Sequence, residues 1–432
     1  MKRHLNTNKV IWSLVLMLLL TLSFGAMASA KTQLTFWTMW TDKAQLEVQR
    51  EWAEDFGKLH PDVEVLVEPV PWGESYPKYQ AAMAAGTTPD LGVLWPEFAV
   101  QIGSVGVLEP LDGLLDEVGR DNIYQNLIDV HSYGGHTWAA PHVNYNQVLF
   151  VRESWLKDIG YAVPQEPLTW EEFVDIARKM TKGDRYGIGG EIVSIARSHA
   201  TDHAVAMAMG RHGLYYKDKE GNVTFDNPQT VAAVQELSDL FLKDKVMPPG
   251  SPGYTGGGEY GMLYQTDKLG MNGCSSSFYG VLAEEAPDVY EDTLILPLPT
   301  GPAGGANWIS PDGIGIFANS KNKDLAKEFI KFYLQDENIR KWAKATRGLA
   351  ATKSGNEDPF FEEPIFKVQR DQIEWGWGVR YNGSFVSPSD GELDGMFIFS
   401  TMMQDIVSRG MSVQDAVTKA AKAIERLPSI KK

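Results

Sequence analysis

Residues 299–334 read PTGPAGGANWISPDGIGIFANSKNKDLAKEFIKFYL. Their first third is rich in glycine and proline and has no hydrophobic period, so it reads as loop. In GIGIF, Ile314 and Ile316 fall on one face, which suits a short strand. The glycines between them weaken a strand but let another backbone or a ligand come close. Ser320 and Asn322 are candidate caps for a helix with Leu325, Phe329, Phe332 and Tyr333 on one side. A glycine-rich passage thus leads into a strand, and the strand into a helix.

The same alternation runs upstream. Residues 34–37 read as a first strand, followed by a helix with Val48, Trp52, Phe56 and Leu59 on one face and a cap at Thr41 or Asp42. Val63, Val65 and Val67 alternate as a second strand. A helix around 79–85 ends at Gly86, and 91–94 form a third strand. Strand, helix, strand, helix, strand predicts a parallel sheet with helices on both faces. Further on, 131–141 suit a hairpin and 148–150 a strand. Thr169 with Glu172 three residues later is a capping box. Asp226-Asn227-Pro228 opens another helix. Residues 268–272 and 294–298 read as strands, and 411–427 as an amphipathic terminal helix.

Taken in order, HPDVEV, AAGTTPDL, GVLEPLD, TWEE, the glycine-rich run and SKNK resemble the extracellular solute-binding proteins of ABC importers. That family includes maltose-binding protein, and the resemblance spans essentially all of residues 31–432. It implies an α/β, periplasmic-binding-protein-like fold. Two α/β lobes would be joined by three interlobe crossings, with the ligand cleft between them. The first lobe would hold 31–141 and 307–349, and the second 144–300 and 350–432. The implied function is capture of a sugar or oligosaccharide and its delivery to a membrane permease, with a monomer as the working form.

The first thirty residues fit export rather than fold. Lys2, Arg3 and Lys9 precede an apolar run over 10–22, and Ala28-Ser29-Ala30 is a small-residue cleavage pattern. Cleavage there removes three basic and no acidic residues, which takes the net charge from −16 to −19. So acidic a chain lacks the basic footprint that nucleic-acid binding requires. The one cysteine, Cys274, forms no internal disulfide and lies far from the cleavage pattern, so no lipid anchor is expected there. The expected location is the periplasm.

Twelve tryptophans follow residue 30, several at strand ends, where ligands bind in open α/β sheets. A sugar ring needs a flat aromatic platform with polar groups at its rim. The candidate ligand residues are Trp40 with Asp42, Trp95 with Glu97, Asn307 and Trp308 with Asp312, and Trp375 and Trp377 with Arg380. Tyr145, Ser276 and Tyr279 join them by position, Ser276 near a helix N-terminus with free N–H groups. The competing reading makes each indole core, and it suits Trp52, Trp155, Trp170 and Trp342 on their helical patterns. The serines can equally be plain caps.

No catalytic residue, cofactor or metal is assigned. His199 and His203 are four apart beside Asp202, a spacing that can hold a metal, but the glutamate of an H-E-x-x-H site is absent. They are read as satisfied or exposed histidines. Residues 253–261 lack the G-K-[ST] of a phosphate loop, no G-x-S-x-G occurs, and no motif selects a pair among fifty-six acids. A secreted carbohydrate-active enzyme stays open as the rival. It would need two cleft carboxylates ~5–10 Å apart, one with a raised pKa. A binder of polyamine, phosphorylated polyol or metal on the same fold is a further alternative.

Overall fold

The computed structural model describes residues 31–430 other than 219, 255, 308, 373–374 and 376–385. The signal-peptide reading of residues 1–30 lies outside the described residues. Among those described, no helix is long and apolar enough to cross a membrane.

Thr32–Thr38 (β1) buries Leu34 and Phe36 and pairs in parallel with Val63–Pro69 (β2). Between them Lys43–Leu59 (α1) buries Trp52 and Phe56, while Leu59, its last residue, is exposed. Trp72–Ala85 (α2) begins seven residues before the sequence pattern suggests and runs through Pro77. Its end is the expected one: Gly86 is left-handed (φ 68), and its N–H reaches back to the last turn. Leu91–Leu94 (β3) is parallel to β1, and Pro96–Gly103 (α3) follows directly. Ala140–Pro141 (β4) closes this part of the sheet.

One residue later, Val143–Arg152 (β5) opens a second sheet. Trp170–Met180 (α4) starts with the capping box: Thr169 Oγ accepts from the Glu172 N–H, and the Glu172 carboxylate accepts from the Thr169 N–H. Then come Tyr186–Gly190 (β6), His199–Arg211 (α5) and Pro228–Leu242 (α6), the last capped by Asn227. Leu269–Ser275 (β7), Phe278–Glu285 (α7) and Thr293–Leu296 (β8) complete the sheet in the order β8-β5-β7-β6.

Ile309–Ser310 (β9) lies on β5, and Gly313–Ile316 (β10) already lies in the first sheet. The first sheet therefore runs β2-β1-β3-β10-β4. It is mixed rather than purely parallel, because β10 returns from the other lobe and lies antiparallel to β3 and β4. Lys323–Tyr333 (α8) and Asp336–Thr346 (α9) follow, and Leu349–Ala350 (β11) returns to β5. Helices Pro364–Asp371 (α10), Pro388–Gly395 (α11), Ile398–Val407 (α12) and Val413–Ile424 (α13) end the chain.

Two α/β lobes thus share three crossings, and the first four residues of β5 carry all of them. Val143 and Asn144 pair with Ala350 and Leu349, and Tyr145 and Asn146 pair with Ser310 and Ile309. The buried side chain of Asn307 extends this pairing. Its Nδ2 donates to the Gln147 carbonyl at 2.8 Å, and its Oδ1 accepts from the Gln147 N–H at 3.1 Å. The crossings are a hydrogen-bonded ribbon, which suits a hinge that must bend without parting.

Candidate functional site

Three tryptophans stand in a row where the parallel strands of the first sheet end. Trp40 follows β1, Trp72 follows β2 and Trp95 follows β3. The Trp40 and Trp72 rings lie 6.2 Å apart, edge to face, and those of Trp72 and Trp95 lie 6.4 Å apart. Trp72 is 41% exposed, whereas Trp40 and Trp95 are 5% and 8% exposed. The two flanking indoles are packed, Trp40 against Trp342 and Trp95 flat on Phe98. They hold up the central one, which presents the open face. Trp72 escaped the sequence reading because its helix seemed to start later. Applying the strand-end rule to β2 as well as to β1 and β3 would have found it.

Helix α11 faces this row. Tyr216 and Lys217 tie it to the second lobe: Tyr216 Oη donates to Asp390 at 2.8 Å, and Lys217 donates to Ser389 at 2.9 Å. Its other side lies on α3. A Cβ on Gly391 would come within 2.6 Å of the Glu97 carbonyl oxygen, and one on Gly395 within 2.6 Å of the Tyr76 ring. Only glycine permits that approach.

At the end of α11 stands a buried polar cluster. Asp394 accepts from His199 Nδ1 at 2.8 Å, and Asp202 Oδ1 accepts from the Ser400 N–H at 2.9 Å. Burial works against charge on His199, but Asp394 beside it raises the imidazole to about 9. Burial and then the Asp394 charge push Asp202 up to about 8. Burial also opposes charge on Asp394, yet His199, His203 and the nearby Trp95 indole hold it below the usual carboxylate range. That indole belongs to the first lobe and lies outside ordinary hydrogen-bond geometry. In the second lobe, Glu191 stands just past the end of β6 and accepts from Gln147 Nε2 at 3.0 Å, and burial raises its pKa. The strand-end rule, applied there too, would have found it.

The other candidates are placed as follows. Glu97 is buried in the first turn of α3, and Asp42 is exposed before α1 without capping it. Asp312 is buried, and its carbonyl oxygen serves His142. Ser276 is buried, and its hydroxyl donates to the Arg347 carbonyl at 3.0 Å. Asn307 is buried as well, with both ends of its amide on the Gln147 backbone. Tyr279 packs on Tyr290, with ring centroids 4.6 Å apart. Trp375 is half-buried over Gly305, where a Cβ would meet its ring at 2.5 Å. Tyr145 lies on β5, its side chain outside the description. Trp308, Trp377 and Arg380 lie outside the described residues.

Two lobes, three crossings and a cleft at the strand ends define the class of the periplasmic binding proteins. The chain belongs to the bacterial extracellular solute-binding protein family, whose profile it matches over residues 42–339. It is similar to the arabinooligosaccharide-binding protein of Bacillus subtilis, 26% identical over 340 residues, covering 74% of each chain. It is 22% identical to the maltotriose-binding protein of Pyrococcus abyssi over 357 residues, covering 81% of this chain and 72% of that one. Among solved structures, the maltose-bound MalE3 of T. maritima superposes with a TM-score of 0.81 at 24% identity, over 91% of this chain and 99% of that one. This last likeness speaks to the fold alone.

Proposed function

We propose that the chain captures a sugar or oligosaccharide between its lobes and delivers it, as a monomer, to the permease of an ABC importer. The observation that carries this is the row Trp40–Trp72–Trp95, with one open indole held between two packed ones at the strand ends. An indole face suits the C–H face of a pyranose or furanose ring, and Glu97 and Glu191 supply acceptors for hydroxyl groups around it. The relatives named for arabinooligosaccharide and maltotriose support the same ligand class. The apolar leader at residues 10–22 supports a place outside the cytoplasm, in the periplasm. On this reading the proposed lobes, 31–141 with 307–349 and 144–300 with 350–432, close over the ligand. The permease then reads the closed form, which the ligand stabilises differentially.

The test is a melting screen over arabino-, galacto- and maltooligosaccharides, followed by calorimetric titration of the hits. A ligand at a hundred times its Kd stabilises by about 2.7 kcal/mol. No stabilisation across the panel, together with stabilisation by polyamines or phosphorylated polyols, would replace the sugar reading.

A further inference from the structure

His199 and Asp202 sit three residues apart on α5, where their side chains share one face. The fold brings Asp394 to them from 192 residues further along the chain, at the end of α11. One donor atom from each lies within 4.8 Å of the others. We propose that His199, Asp202 and Asp394 form a binding site for a divalent transition-metal cation, with Zn²⁺ the ion that best suits one imidazole nitrogen and two carboxylates.

The geometry carries the proposal. Zinc bonds of about 2.0–2.2 Å set tetrahedral ligand atoms roughly 3.3–3.6 Å apart, so the cluster needs only a small inward turn of its side chains. His199 Nδ1 and the Asp394 carboxylate already face each other at 2.8 Å. Asp202 Oδ1 takes the Ser400 N–H and the Ser400 hydroxyl lies near the carboxylate, while Oδ2 is buried with no hydrogen bond of ordinary geometry. Asp202 as a whole is 4% exposed. A plain His–Asp ion pair accounts for His199 and Asp394 but gives that second oxygen nothing to bind. A cation gives it a ligand bond. Two carboxylates and a neutral imidazole also carry the −2 that balances one divalent ion. The His199 side chain is 33% exposed, which leaves a way in from solvent. Once bound, the ion ties α5 to α11, the helix seated on the first lobe, and so stiffens the face of the second lobe that closes.

The inference does not rest on the sugar reading, and its test uses no sugar. Full-length processed protein is stripped with chelator and titrated with ZnCl₂ by calorimetry, and its melting is followed in parallel. The expected result is one equivalent bound and a raised Tm. Asp202→Asn keeps the shape and the Ser400 bond, and it should weaken zinc by more than about tenfold. Should Asp202→Asn melt early without metal, His199→Gln at the more open position takes its place. Co²⁺ should give visible d–d bands in the wild type that disappear in either variant, whereas His136→Gln, at an exposed site, should leave them. No bound equivalent, or equal affinity in the wild type and a well-folded Asp202→Asn, would overturn the site.

Discussion

His142 Nδ1 lies 2.8 Å from the carbonyl oxygen of Asp312, and this bond ties the first crossing to the second. The His142 backbone N–H donates to the same oxygen at 3.1 Å. The imidazole stacks on Trp342, with centroids 5.3 Å apart, and Trp40 and Tyr333 meet it edge-on. A charged ring has no place in this aromatic box. Burial pushes its pKa down to about 3, against a smaller opposing pull from the Asp312 carbonyl.

Acid should therefore loosen the hinge in a defined window. The folded pKa is depressed below the unfolded value of about 6.5. Between the two, the unfolded chain binds a proton that the native chain refuses, so stability falls as pH falls. The His142 share is complete above about pH 6.5 and is lost at roughly 1.4 kcal/mol per pH unit toward pH 3. Urea midpoints of the wild type and His142→Leu, compared from pH 6.5 to 4, should converge. Parallel lines would show that His142 is not the group responsible.

Truncating the three indoles should separate platform from support. Trp72→Ala removes an exposed ring and should leave apo melting nearly unchanged, while sugar affinity falls by about tenfold or more, the worth of ~1.4 kcal/mol. Trp40→Ala empties a buried, edge-packed site and should cost about 3–5 kcal/mol of stability. Calorimetric titration and apo melting of both variants check this. Unchanged affinity in Trp72→Ala would move the platform elsewhere.

The strands were legible because their apolar residues alternate and their ends carry Gly, Pro and Asp, as at Val63, Val65 and Val67 before Pro69. The capping box at Thr169 was legible for the same local reason. The start of α2 was not, because Pro77 and Gly73 weaken the helical pattern that tertiary packing overrides. Aromatic position was readable and aromatic role was not: Trp40, Trp72 and Trp95 all follow strands, yet only packing shows which one stays open. The roles of Ser276 and Asn307 depend on Arg347 and Gln147, partners far away in sequence. Asp394 joined no motif at all, since its neighbours His199 and Asp202 meet it only in the fold.

Hydrolysis of bound oligosaccharide is not expected. The one buried carboxylate pair with opposed pKa shifts among the residues described above is Asp202 and Asp394, and their ligand oxygens lie within 4.8 Å. Retaining glycosidases space the pair at about 5–5.5 Å and inverting ones wider. Here Asp394 is held by His199, and Asp202 has an oxygen fixed by Ser400, so neither is poised over a sugar. Long incubation with maltotriose or arabinotriose and chromatography of the products is the check. Shorter sugars that vanish with Asp394→Asn would promote the enzyme reading.

The closing contact itself can be tested at Gly391. Its missing side chain lets α11 sit on α3 at the Glu97 carbonyl, where a methyl group would stand 2.6 Å from that oxygen and 2.9 Å from the Gln101 side chain. Backbone cannot step aside as a flexible side chain can, so the Gly391→Ala variant should hold the two helices apart. Each lobe keeps its own core, since the sheet and helix contacts within the lobes do not involve this methyl group. Apo melting should therefore change little, while the closed form is penalised. Small-angle scattering with a saturating confirmed ligand should show the wild type contracting and Gly391→Ala contracting less, with affinity weakened in step. Equal contraction in both proteins would mean that the α3–α11 contact does not limit closure.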